Sequence, residues 1–200
     1  MRLTRTTSRQ RGATLLEALV ALVILVFGLL GLIGMQAQTQ LATFESYQRG
    51  QALILVQDMA DRLSTNRKAA ACYIITTDTA NGTPFFGTGY AGVPACAGAV
   101  GTAASRAVAD ADMVAWNNAL KGVSELQASG DRVGGVLGAR GCVSYDLATN
   151  SYRIAVAWQG MAATVAPTAG DPAATCGKDL YGNDAQRREV SVTIRIANLT

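Results

Sequence analysis

The chain of 200 residues contains no histidine. Without imidazole there is no His-dependent catalytic triad and no H-E-x-x-H zinc helix, and neither a G-x-S-x-G elbow nor a Walker A loop stands in for them. No constellation of lysines or carboxylates takes up the role. The expectation is a protein that is not an enzyme, with no cofactor and no metal. Charge is also missing in one place, since no charged residue occurs from Ala18 to Phe44. About 18 or more apolar residues suffice to cross a bilayer, so this stretch reads as a single membrane segment ahead of a globular remainder. Acid is missing in another place. Arg2, Arg5, Arg9 and Arg11 precede the apolar run with no Asp or Glu among them.

The formal charge of +3 is therefore misleading. Without those four arginines, 13 basic residues remain against 14 acidic, a net of −1. A nucleic-acid protein carries its basic patch on the folded domain, so no nucleic-acid partner is expected. A basic tip before an apolar helix instead holds that end in the cytoplasm and sends the rest across.

Cys72, Cys96, Cys142 and Cys176 all lie beyond the apolar run. An even count in an exported domain points to disulfides. Three connectivities are open. The sequential one, Cys72–Cys96 and Cys142–Cys176, would staple one Gly/Ala-rich loop with each bond, contributing roughly 3–4 kcal/mol apiece. A zinc site is disfavoured by the lack of C-x-x-C and of histidine.

The N-terminus reads Arg9-Gln-Arg-Gly12-Ala13-Thr14-Leu15-Leu16-Glu17. An ordinary secretory signal has a short apolar core followed by a small-residue cleavage site. Here the small residue precedes the run, so a cut after Gly12 would release the basic leader and leave the helix on the mature chain. Glu17 is the second oddity, because a carboxylate inside a membrane helix costs on the order of 2.5–3.5 kcal/mol. After such a cut Ala13 would carry a new ammonium group four residues earlier, on the same helix face. Glu17 could meet that group, or the one on a neighbouring subunit.

This stretch resembles the prepilin signal of type IV pilins and type II secretion pseudopilins: basic leader, Gly, an aromatic residue, Thr-Leu-hydrophobic-Glu, then an apolar helix. The resemblance implies that prepilin peptidase cuts between Gly12 and Ala13 and methylates Ala13. It also implies that Glu17 neutralises a neighbour's terminal amine during assembly. Ala13 stands where the family has Phe. The family's helix-breaking proline near Gly34 is absent, and Gly28, Gly31 and Gly34 punctuate the run instead. Small residues of this kind allow close helix approach in membranes.

Beyond the run, Ala52, Leu55, Val56, Met59 and Leu63 follow the spacing of an amphipathic helix, with Asp58, Asp61 and Arg62 on the other face. One helix from Ala13 to about Arg67 would span roughly 80 Å. Asn81 to Gly101 reads as an irregular excursion. Its Gly87-Thr-Gly-Tyr-Ala-Gly92 matches G-x-G-x-x-G formally, but lacks the strand, helix and acidic residue a dinucleotide site needs. A short helix is expected at Asp110–Leu120, with Met113, Trp116 and Leu120 on one face. Strands are expected at Val133–Leu137, Cys142–Tyr145, Tyr152–Trp158 and Val190–Ile196, with a long loop at Pro167–Asp184. The fold class is α+β, type IV pilin-like: a long N-terminal helix spine packed on a small antiparallel sheet.

The second half looks like the PilV group of minor pilins, in which a Trp-x-x-x-Leu helix precedes a Gly-rich turn and an aromatic-to-Trp strand. Here these are Trp116–Leu120, Gly130–Gly135 and Tyr152–Trp158. The resemblance implies a leader at residues 1–12 and a helix at 13–67, membrane-spanning or filament core to about residue 36. It places a periplasmic domain at 68–200. It implies a single-pass inner-membrane stage followed by a place in the pilus, with prepilin peptidase and other major and minor pilins as partners. The expected role is pilus assembly or priming, serving twitching motility or adhesion. A minor pseudopilin of a type II secretion system is the alternative within the family. Outside it, the alternative is a bitopic periplasmic binding protein that keeps its anchor.

Overall fold

A computed structural model describes residues 14–90, 92–98, 100–123, 135–168 and 172–197. They fall into two units, divided between Thr43 and Phe44. One helix, α1 (Leu15–Thr65), runs through both. It bears Glu17 in its first turn and Arg62 in its last, each charge matching the helix dipole. At its end Asn66 leads into a 3₁₀ segment, Arg67–Tyr73.

The second unit is α+β. After α1 come β1 (Phe86–Gly87), α2 (Ala103–Leu120), β2 (Arg140–Asp146), β3 (Ser151–Gln159) and β4 (Arg187–Ile194). The four strands form one antiparallel sheet in sequence order. In this unit α1 buries Gln48, Ala52, Val56, Met59, Ala60 and Leu63, the three- and four-residue spacing of one helix face. That face, Met113, Trp116 and Leu120 of α2, and Val143, Ile154, Val156, Trp158 and Val190 of the sheet make one core. Trp116 lies between the layers and donates its indole N–H to the Leu55 carbonyl at 2.8 Å. Gly141 of β2 leaves room for it, because any Cβ there would collide with the Trp116 ring.

The opposite face of the sheet is also covered, over part of its length. Cys142, Ala155 and Ala157 are buried there beneath Cys176 and Tyr181. This explains the composition of β3. Its small residues alternate with large ones because a second layer presses on them, whereas the alternation by itself reads as one wet face.

Several expectations need correction. The strand expected at Val133–Leu137 does not form among its described residues: Gly135 and Gly138 have φ of +99° and +63°, and Ala139 N–H closes a turn on the Val136 carbonyl. Its remaining residues, and most of the Gly130–Gly135 turn, lie outside the described residues. The short helix begins seven residues earlier than Asp110, because Thr102 caps it and exchanges hydrogen bonds with Ser105. The excursion at Asn81–Gly101 holds β1, whose Gly87 N–H is taken by the buried Asn117 side chain of α2 at 2.9 Å. β4 begins at Arg187, three residues before the expected start, and ends at Ile194.

Candidate assembly site on the N-terminal helix

The first unit contains the residues on which the sequence reading concentrates. Gly12 and Ala13 lie outside the described residues. Thr14 is described, and its hydroxyl and carbonyl both accept from the Glu17 N–H, at 3.3 and 3.0 Å. Thr14-Leu15-Leu16-Glu17 thus has the sequence form of an N-terminal capping box. Glu17 occupies an ordinary first-turn acidic position as well as an unusual membrane one. The sequence held this signal in the Thr-x-x-Glu spacing, and a reading centred on the charge of Glu17 passes over it.

From Thr14 to Thr43 no described residue is buried. Leu15 is 83% exposed and Phe27 70%, values that a soluble unit with its own core does not leave on large apolar side chains. The helix is long and apolar enough to cross a membrane. A Cβ added at Gly28, Gly31 or Gly34 would meet no atom within 4 Å. Among the described residues these glycines therefore serve no packing. The hydroxyls of Thr39 and Thr43 donate to the carbonyls of Met35 and Thr39, at 2.9 and 2.8 Å. Such bonds hide hydroxyls from an apolar medium without a second chain.

The four cysteines form two disulfides. Cys72 on the 3₁₀ segment joins Cys96, just ahead of α2, and Cys142 on β2 joins Cys176 in the loop before β4. Their Cα separations are 5.1 and 5.8 Å. No metal cluster of His, Cys, Asp or Glu occurs among the described residues. Gly87 begins the G-x-G-x-x-G match within β1, and the next helix is α2 at Ala103. The phosphate-binding junction of strand and helix is therefore not made there.

Two polar clusters fix the second unit, and both lie outside the sequence-derived sites. Asp112 of α2 accepts from Tyr73 at 2.6 Å and pairs with Arg62 at 2.9 Å, while Asp58 holds the other side of Arg62. Burial, then the bond to Asp112, pushes the Tyr73 hydroxyl pKa up. On β4, Arg187 is buried between Asp184 and Glu189. Burial raises the Glu189 carboxyl to about 8 against the opposing pull of Arg187.

Residues 7–33 match the prokaryotic N-terminal methylation motif. The chain carries a prepilin-type N-terminus. This motif spans Gly12, Ala13 and Glu17 and ends within the exposed apolar run, so it supports a place among type IV pilin-like proteins on the first unit alone. The prepilin motif and the apolar helix together point to membrane anchoring ahead of a C-terminal globular part. The fold of that part, a helix on a small antiparallel sheet, is consistent with the pilin fold. No curated protein and no solved structure matches the chain.

Proposed function

We propose that the chain is a minor pilin of a type IV pilus, of the PilV type, inserted in the inner membrane as a prepilin and built into the filament through its N-terminal helix. The observation that carries this reading is the methylation-motif match at residues 7–33, a range that includes Gly12, Ala13 and Glu17. Support comes from an apolar helix whose large side chains are exposed. Prepilin peptidase removes residues 1–12, cutting between Gly12 and Ala13, and methylates the amine of Ala13. Residues 13–67 then serve as the spine, and residues 68–200 as the periplasmic domain. The role is in assembly or priming, with motility or adhesion downstream.

Glu17 acts in assembly. An ionised carboxylate in a low-dielectric filament core is tolerated when a cation meets it, and the terminal amine of Ala13 on an adjacent subunit supplies one. Removing one partner of a buried pair leaves the other stranded, at a cost of about 3–5 kcal/mol. Glu17→Ala, by contrast, makes the helix more apolar and easier to insert. Glu17→Ala protein should be cleaved, reach normal membrane levels and form both disulfides, yet be depleted from sheared filaments. Mass spectrometry of the wild-type filament protein should find a chain beginning at Ala13. Wild-type entry of Glu17→Ala into filaments would refute the charge-pairing mechanism. Peptides from residues 1–12 in assembled protein would refute the processing, and recovery in a secretion-system filament rather than a pilus would refute the assignment to the pilus.

A further inference from the structure

The uncharged stretch Ala18 to Phe44 has 27 residues. As a helix it is about 40 Å long, close to the roughly 40–45 Å of a bilayer with its headgroup layers. Glu45, the next residue, therefore falls where a helix of that length leaves the bilayer. Within the second unit Glu45 is engaged. Its carboxylate accepts from the N–H groups of Met161 and Ala162 at 3.0 and 3.4 Å, and from Arg188 at 3.2 Å. These bonds pin the loop that follows β3 to α1, one residue past the end of the uncharged stretch.

The pinned loop has the make-up of a segment suited to an apolar medium. Gly160 to Pro167 reads Gly-Met-Ala-Ala-Thr-Val-Ala-Pro, without a charge. Its backbone polar groups are bonded inward. Gly160 N–H donates to the Gln186 carbonyl at 2.7 Å, and Thr164 N–H donates to the Ala185 carbonyl at 2.8 Å. The Ala162 carbonyl accepts from Arg188 at 2.8 Å. The side chains from Met161 to Val165 are all exposed, and Val165 is 87% so. A bonded backbone under apolar side chains is what entry into lipid requires. Phe44 and Tyr47, on either side of Glu45 in the sequence, are exposed as well, and aromatic residues gather at membrane interfaces. The β2–β3 turn, at the other end of β3, gives the contrast. It exposes Leu147 to a similar degree, 84%, but sets it among Asp146, Thr149 and Asn150.

We propose that Met161 to Val165 form a membrane-contacting loop, which in the anchored chain rests in the headgroup layer with Met161 and Val165 against the lipid. The occupant of this apolar patch follows from covalent continuity: the stretch that enters the bilayer ends one residue before Glu45, and Glu45 holds the loop. The proposal rests on anchoring by the apolar helix, and not on cleavage, methylation or the assignment to a pilus.

The test uses the full chain reconstituted in phospholipid vesicles. All four native cysteines are bonded, so a cysteine introduced at an exposed position is the single thiol. Val165→Cys, Leu147→Cys and Phe27→Cys proteins are each labelled with a nitrobenzoxadiazole fluorophore. Lipids carrying a nitroxide on the headgroup, or deep in the acyl chain, serve as quenchers in both leaflets. Headgroup nitroxides should quench position 165 about threefold or more above position 147, since roughly 25 Å of β3 lies between its two ends. Deep nitroxides should quench position 27. The proposal is overturned if position 165 is quenched no more than position 147. Quenching at 27 without quenching at 165 leaves the anchoring intact and refutes the loop contact; absence of quenching at 27 refutes both together. A label at 165 that escapes quenching in vesicles, yet is shielded from iodide in assembled filaments, would assign the loop to a neighbouring subunit and likewise overturn the proposal.

Discussion

The two stretches of α1 are one secondary-structure element under two physical regimes. In the first unit its described residues bury nothing, and Leu15, Phe27 and Met35 are each at least 70% exposed. In the second unit the same helix hides Ala52, Met59 and Leu63 completely. The difference lies in the arrangement of apolar residues. Ala18 to Met35 is apolar around the whole circumference and leaves no polar face, as befits an apolar surrounding. From Ala52 onward Val56, Met59, Ala60 and Leu63 keep to one buried face with it, which a single neighbouring layer satisfies, while Leu53 and Ile54 stay exposed. A helix can thus carry two addresses in one continuous backbone.

The sharpest way to break this comparison is to delete one aromatic from each unit. Trp116→Ala should cost about 3–5 kcal/mol in chemical denaturation, because it empties a fully buried volume and strips the Leu55 carbonyl of its donor. Phe27→Ala, in the exposed part of α1, should leave the midpoint of the domain transition within about 0.5 kcal/mol of wild type. An equal effect from both would mean that the two units share a core.

Much of the second unit was legible beforehand, for identifiable reasons. Tyr152–Trp158 and the face around Met59 carry strong periodicities, and both periods survive in β3 and α1. Val133–Leu137 misled because valine and leucine favour strands, while the glycines around them impose the turn. β1 has only two residues, too few for any period, and it exists because Asn117 offers an acceptor to Gly87 from a helix far along the chain. The N-terminal site was legible as chemistry in Gly12, Ala13 and Glu17. The capping by Thr14 was written in Thr14-Leu15-Leu16-Glu17 and needed only the backbone to be considered.

A second test sharpens the contrast on the side of the sheet that the sequence left open. Replacing Cys142 and Cys176 together with alanine removes the bond that holds the loop over Ala155 and Ala157, and should cost about 2–5 kcal/mol. Denaturation under non-reducing conditions measures this directly. Membrane insertion, a property of the first unit, should be unchanged on carbonate extraction.

The smallest expected effect concerns pH. Burial raises Glu189 in the folded protein to about 8, above its ordinary value of 4.5. Between those values the folded state binds more protons than the unfolded one, so stability falls as pH rises through that window. Glu189→Gln should flatten the fall, and should raise stability near pH 8 by on the order of 1–2 kcal/mol. Melting temperatures from pH 5 to pH 8 check it. A wild-type profile that rises across this window would show that Arg187 outweighs burial.

The first charged residue after the apolar run is Glu45. Its carboxylate accepts from the backbone N–H groups of Met161 and Ala162 and from Arg188, at 3.0, 3.4 and 3.2 Å. These partners lie 116, 117 and 143 residues further along the chain. Contacts across such separations wait on the closure of long loops. During synthesis the Arg188 bond cannot form until β4 has emerged, so a nascent chain exposes Glu45 as an unpaired charge beside the apolar run. The finished chain engages it. The bond from Arg188 to Glu45 thus closes only once the last strand is in place.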